Sequence, residues 1–291
     1  MKKTRESEPR YFDIRGLRYH VRRWPGSGAR VVLLHGWMDV SASFQFLADA
    51  LPADWDLYAP DWRGYGLTQW SGADCYWFPD YMADLDRLLD HIEPDAPARV
   101  VGHSLGGNAA MLYAGVRPQR VAKLVNLEGF GMGRASAEEA PARYARWFNE
   151  LRKQPGLRPY RGYVELADRL QANNPRLTRE RAEFLARHWG VEGEGGGVVL
   201  RSDPAHKLVN ANLYRLDEAL VCWARITAPV LWVEAALSET PKRIGLSAEE
   251  RASRRAAVQN LTHAVVDDAG HMLHHDQPEA VAALIDPFLR A

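Results

Sequence analysis

The strongest constraint on this chain is that short, continuously apolar runs alternate with longer amphipathic stretches, and that the alternation breaks off once and then resumes. Runs at 31–35, 57–60, 99–103 and 123–128 read as strands, and two more come at 230–234 and 263–267. Between them, 42–51, 81–92 and 108–116 carry apolar residues at helical spacing, and a last helix pattern covers 278–289. Continuous apolar strands separated by helices predict a mostly parallel sheet covered on both faces. Ahead of them, 11–14 and 17–23 meet at Gly16 and read as a hairpin, so the sheet should begin antiparallel.

The break runs from about Gly131 to Trp223, where no strand run is legible. Helix-period apolar residues dominate it: Tyr144, Trp147, Phe148 and Leu151, then Leu166 and Leu170, then Phe184, Leu185 and Trp189. Pro155, Gly156 and the glycines of 193–197 punctuate it. This predicts a helical insertion, 131–224, within a discontinuous α/β core of 1–130 and 225–291. The glycine run lacks the Lys-Ser or Lys-Thr of a phosphate-binding loop and reads as a mobile loop. Aromatics at this spacing report burial, and they would also suit an apolar pocket.

Length and charge narrow the function. A chain of 291 residues, 46% apolar, can bury one large core. Lys plus Arg equals Asp plus Glu at 37 each, so no global field gathers nucleic acid or an anionic membrane. A small molecule met in a pocket is the expected partner. No apolar run approaches the roughly 18 residues of a membrane span. Residues 1–10 are charged with no apolar segment behind them, which reads as a mobile end and not a secretory signal. Lys2, Lys3 and Arg5 could at most form a partner contact there. Cys75 and Cys222 do not make a disulfide framework, so reduced thiols and a cytoplasmic location are expected.

The chemistry concentrates in four places. Gly102-His103-Ser104-Leu105-Gly106 fits the G-x-S-x-G elbow between a strand and a helix. Small residues must flank the turn, because side chains there would collide as the strand folds into the helix. The turn exposes the Ser104 hydroxyl and places the Leu105 N–H at the positive helix end. A serine needs a base, and Gly270-His271 comes after the last strand, where the Ser…acid…His order puts one. His35-Gly36-Trp37 ends another strand and can aim the Trp37 N–H at a developing oxyanion, with His35 structural. Asp61-Trp62-Arg63-Gly64-Tyr65-Gly66 reads as a turn held by an Arg–Asp pair. His274, His275 and Asp276 match no zinc spacing, so no metal is expected, and chelators should leave activity unchanged.

Taken in order, His35-Gly36-Trp37, Asp61 to Gly66, Gly102 to Gly107 and Asp268-Ala269-Gly270-His271 resemble the α/β-hydrolase superfamily across nearly the whole chain. The resemblance implies an eight-stranded, mostly parallel sheet with a helical cap. It implies Ser104 as nucleophile, His271 as base, the N–H groups of Trp37 and Leu105 as oxyanion hole, and no cofactor. The sequence departs from that pattern at the acid. The turn after the strand at 230–234, Ala235-Ala236-Leu237-Ser238-Glu239, holds no Asp. Some members carry the acid at the end of the strand before the cap, where this chain has Glu128, followed by Gly129. Glu128 is therefore expected to be the triad acid, with Glu234 and Glu239 as rivals. The expected function is hydrolysis of a small apolar ester or related acyl compound through an acyl-enzyme. Carbon–carbon or amide bond hydrolysis, acyl transfer, and a non-catalytic receptor on the same fold are the alternatives.

Overall fold

The computed structural model describes residues 4–153 and 156–291. It opens with a hairpin of β1 (Glu8–Ile14) and β2 (Leu17–Trp24), turned at Arg15 and Gly16 with φ of 51° and 80°. A two-residue turn of this handedness matches the twist of the strands it joins. β3 (Arg30–Leu34), a 3-10 turn at Ser41–Phe44, α1 (Gln45–Ala50), β4 (Asp56–Pro60) and α2 (Phe78–Ile92) come after it. Next come β5 (Ala98–His103), α3 (Leu105–Val116) and β6 (Val121–Leu127). The inserted stretch holds α4 (Ala140–Leu151), α5 (Tyr163–Asn173), α6 (Arg179–Trp189), β7 (Gly190–Glu192), β8 (Val198–Leu200) and α7 (Leu216–Ala224). The chain closes with β9 (Val230–Ala235), α8 (Thr240–Arg243), α9 (Ala248–Ala256), β10 (Leu261–Val266), α10 (Leu273–Asp276) and α11 (Pro278–Arg290).

Eight strands form one sheet in the order β1-β2-β4-β3-β5-β6-β9-β10. The pairs β1–β2 and β2–β4 are antiparallel, and every pair from β4 to β10 is parallel. Side chains alternate between its faces as strand geometry requires. Val31 and Leu33 enter a core shared with α1 and α11. Val32 and Leu34 enter the opposite core, with Tyr113 of α3 and Trp223 of α7. Chain direction across the sheet reverses at β3, which pairs with β4 on one side and β5 on the other. Such a switch point opens a crevice beyond the strands' carboxyl ends, and the loops after β3 and β5 flank it.

The inserted stretch is helical, with a small core of its own around Leu166, Leu170, Leu185 and Val198. The glycine run is not a free loop. It turns a hairpin in which β7 and β8 pair antiparallel, with Gly196 N–H donating to Gly193 O. Three-residue strands are too short to show period-2 alternation, which is why the sequence hid them. The N-terminal tail is also more tightly held than its composition suggests. The Arg5 N–H donates to Asp49 (2.7 Å), its guanidinium reaches the carbonyls of Pro25 and Trp55, and Glu8 to Arg10 already belong to β1. Lys2 and Lys3 lie outside the described residues. Cys75 and Cys222 are free thiols. Among the described residues, no helix is long and apolar enough to cross a membrane.

Candidate active site

Ser104 stands between β5 and α3 with φ 52° and ψ −114°, a region that side chains rarely occupy. Strain of this kind costs on the order of 1–3 kcal/mol and persists only where the surroundings impose it. The surroundings here are tight. A Cβ on Gly102 would come within 2.6 Å of the Gly106 backbone, and one on Gly106 within 2.2 Å of Leu34 O. The Ser104 N–H donates to Leu127 O (2.8 Å), so the turn is pinned to β6.

Three predicted residues meet in one line. His271 Nε2 lies 3.0 Å from Ser104 Oγ, and His271 Nδ1 lies 3.0 Å from Glu128 Oε2. Glu128 is 1% exposed and sits one residue beyond β6 at φ 58°. Asn126 sets that turn, because its side chain both accepts from Gly129 N–H and donates to Gly129 O. The turn after β9, where no Asp is present, donates to Glu128 instead. Ala235 N–H reaches Oε1 at 2.8 Å, and the Ser238 hydroxyl bonds Oε2. Ser238 and Asn126 were not singled out from the sequence. Single hydrogen-bonding side chains of this kind carry no motif. The rival carboxylates are occupied elsewhere. Glu234 pairs with Arg251, Arg255 and His263, and the Glu239 side chain is 75% exposed beside Lys242.

The loop after β3 closes on the same point. A Cβ on Gly36 would approach Ser104 Cβ to 3.2 Å and His103 Nδ1 to 2.9 Å, so this backbone runs directly alongside the elbow. Leu105 is the first residue of α3, and its N–H is one that helix geometry leaves without an intrahelical acceptor. The Trp37 N–H makes no hydrogen bond among the described residues, while its indole donates to His206 O. His35 is buried and braces the loop: Nδ1 meets Gly36 O at 2.8 Å and Nε2 accepts from Trp62 N–H at 2.9 Å. Burial holds its pKa down at about 4, so it stays neutral and fits these roles.

The Asp61–Gly66 turn differs from its expected pairing. Arg63 does not pair with Asp61 but makes a two-pronged bond to Asp84 of α2, at 2.5 and 2.6 Å. Asp61 instead bonds His20 (2.7 Å) and the backbone N–H groups of Ser41 and Leu67. Burial would raise the Asp61 carboxyl, but the His20 bond and charge outweigh it and hold it below the usual carboxylate range.

The inserted stretch rests on these same loops. Gly66 N–H donates to Arg201 O, Asp203 N–H to Gly64 O, and Asn174 to Asp276 beyond His271. His206 is sandwiched between Tyr65 and Tyr76, with ring centroids 3.8 and 3.7 Å away. The aromatics of α4 are not core: α4 buries no residue, and Tyr144 and Phe148 are about half exposed at 45% and 52%. Trp37, Met132 and Leu237, each on a loop beyond a sheet strand, are exposed too.

The comparisons agree with this architecture. The sequence model of the alpha/beta hydrolase fold matches residues 29–278. A serine hydrolase-like protein of Danio rerio is 28% identical over 274 residues, covering 91% of this chain and 83% of that protein. Serine hydrolase-like protein 2 of Homo sapiens is 25% identical, covering 90% and 87%. Among solved structures, a thioesterase domain from the curacin biosynthetic pathway superposes with a TM-score of 0.87 at 24% identity, covering 97% of this chain and 99% of that one. An esterase from Mycobacterium tuberculosis superposes at 0.74 and 21% identity, covering 98% and 92%. With the doubly flanked parallel sheet and the strand–serine–helix elbow at its switch point, this chain belongs to the alpha/beta hydrolase family.

Proposed function

We propose that the protein is a serine hydrolase that cleaves a small apolar ester, or a related acyl compound, through an acyl-enzyme. The observation that carries this reading is the continuous Ser104–His271–Glu128 line, with both links at 3.0 Å. In it, Ser104 Oγ attacks the acyl carbonyl while His271 Nε2 takes the hydroxyl proton. Glu128 holds the Nδ1–H tautomer and stabilises the imidazolium that forms. The N–H groups of Leu105 and Trp37 receive the oxyanion, each worth on the order of 3 kcal/mol in the transition state. His271 then protonates the leaving group and activates the water that releases the acid.

The substrate class rests on the mouth of the site. Trp37, Met132 and Leu237 present exposed apolar surface on loops at the strands' carboxyl ends. The inserted stretch acts as a cap that selects the acyl chain, because it docks on the loops flanking Ser104. The esterase and thioesterase named among similar structures fit the same bond class, and amides stay on the substrate panel because the same line of residues can cleave them. The test is a fluorophosphonate probe and then a series of p-nitrophenyl esters of rising chain length. Wild-type protein should label and turn over esters, and Ser104→Ala should fold and do neither. Full activity in Ser104→Ala, or a wild type that binds ligand but never labels, would sink the proposal.

A further inference from the structure

Beneath the His271 loop lies a second cluster of side chains that the hydrolytic reading does not use. α10 carries His274 and His275, both fully enclosed at 0% and 2% exposure, and the loop after β3 brings Asp39, at 2% exposure, against them. One ring nitrogen from each histidine and one Asp39 carboxylate oxygen all lie within 4.8 Å of one another. Among the described residues, neither nitrogen of His274 has a hydrogen-bond partner, and neither does Asp39 Oδ2. Asp39 Oδ1 is taken by Val40 N–H at 2.8 Å. Stranding buried polar atoms in this way is costly, and native proteins resolve it with a partner.

The packing supplies none for the His274 ring, although the Ser43 hydroxyl and the Trp189 indole lie beside the Asp39 carboxylate. His274 is enclosed by the rings of Phe44, His103 and His275, with centroids 5.2, 4.4 and 4.3 Å away. The Ser43 hydroxyl bonds His275 Nε2 and steadies that ring. On the other side, Asp39 and Trp189 border a cavity of about 10 Å³, room for one water-sized ligand. Two imidazoles and one carboxylate form a donor set for a divalent transition metal.

We propose that Asp39, His274 and His275 form a binding site for a divalent transition-metal ion of the Zn²⁺ or Co²⁺ type. Metal–ligand bonds of about 2.0–2.2 Å need the three donors to close inward by roughly 1 Å. No local spacing announces the site, because Asp39 arrives from the far end of the chain through β3. The ion touches none of the reacting atoms. It joins the loop that carries Trp37 to the helix beyond His271, and so braces two walls of the crevice. Its contribution is structural, and hydrolysis by the metal-free protein continues.

The test uses the full chain and Co²⁺ as probe. One sample is incubated with Co²⁺ as folded protein. Another is unfolded in chelator and refolded with or without Co²⁺, since an enclosed site exchanges slowly. After gel filtration, bound metal, visible d–d absorption and melting temperature are read. The expected result is about one Co²⁺ per chain in the refolded sample, a spectrum of mixed nitrogen and oxygen ligation, and a melting temperature above that of the metal-free chain. Asp39→Asn and His274→Gln should lose retention, while His263→Gln, on the surface, should keep it. A wild-type chain that retains no Co²⁺ by either route overturns the proposal, whether or not the variants fold. Undiminished binding by folded Asp39→Asn and His274→Gln overturns it equally.

Discussion

Glu128→Gln keeps the size of the side chain and removes its charge, and the donors packed around that carboxylate determine the cost. Three of them converge on it: His271 Nδ1 at 3.0 Å, Ala235 N–H at 2.8 Å, and the Ser238 hydroxyl. A glutamine brings one acceptor oxygen and one NH2, so in either orientation an amide donor faces another donor inside a site 1% exposed. If the NH2 faces His271, it selects the tautomer protonated on Nε2, which cannot take the Ser104 proton. A wrong tautomer costs about ten-thousandfold in turnover, equivalent to about 5.5 kcal/mol of barrier. If the amide flips, the tautomer survives but the imidazolium loses its counter-charge, and an unpaired donor costs on the order of 1–3 kcal/mol of stability. The assay is kcat on a p-nitrophenyl ester, with urea midpoints to separate folding from chemistry. Glu239→Gln, altering a side chain that is 75% exposed, should stay near wild type. Near-wild-type turnover in Glu128→Gln with collapse in Glu239→Gln would refute the assignment.

The same geometry sets three further outcomes. Gly36→Ala should fold yet lose at least about a hundredfold in kcat, the scale of one oxyanion donor, because its methyl would sit 3.2 Å from Ser104 Cβ; unchanged ester kinetics would contradict this. Burial pushes the His206 pKa down to about 3, so its stabilisation is complete above about pH 6.5 and fades as pH falls toward 3, since the unfolded chain then binds the extra proton. The loss approaches about 3 kcal/mol near pH 4, and His206→Phe should show a flatter decline in urea midpoint between pH 7 and 4 than wild type. Tyr144→Ala and Phe148→Ala on α4 should move stability by less than about 0.5 kcal/mol, because that helix buries nothing, while shifting ester chain-length preference; unfolding without any shift would mark these rings as structural.

The inner strands were legible because they are buried on both faces and so print continuous apolar runs, as in Val31 to Leu34 and Val230 to Val233. Ser104 was legible because the tight elbow demands glycines at fixed offsets, and His271 because of its place after the last strand. The true start of α3 at Leu105 was hidden by Gly106 and Gly107, poor helix formers kept for close approach to β3 and β5. Helices α8 and α9 were hidden because they are mostly polar, although Ser247 and Glu250 form a capping box that a search for helix starts would find. Asp84 as the partner of Arg63, and Ser238 as a donor to Glu128, depend on contacts between distant segments that no periodicity records.

The position of Glu128 has a consequence for how such a chain can change. β5 and β6 are adjacent parallel strands with His103 opposite Leu127, so Ser104 and Glu128 leave the sheet side by side. Both are in place before the chain departs into α4 to α6. A carboxylate mounted beyond β9 would return only after that excursion, and its placement would depend on where the excursion ends. Here the excursion can lengthen, shorten or be exchanged for another segment without re-registering the pair, provided that His271 and the Ala235–Ser238 donors to Glu128 come back to meet them. The inserted stretch is thereby uncoupled in register from the strand pair that carries Ser104 and Glu128.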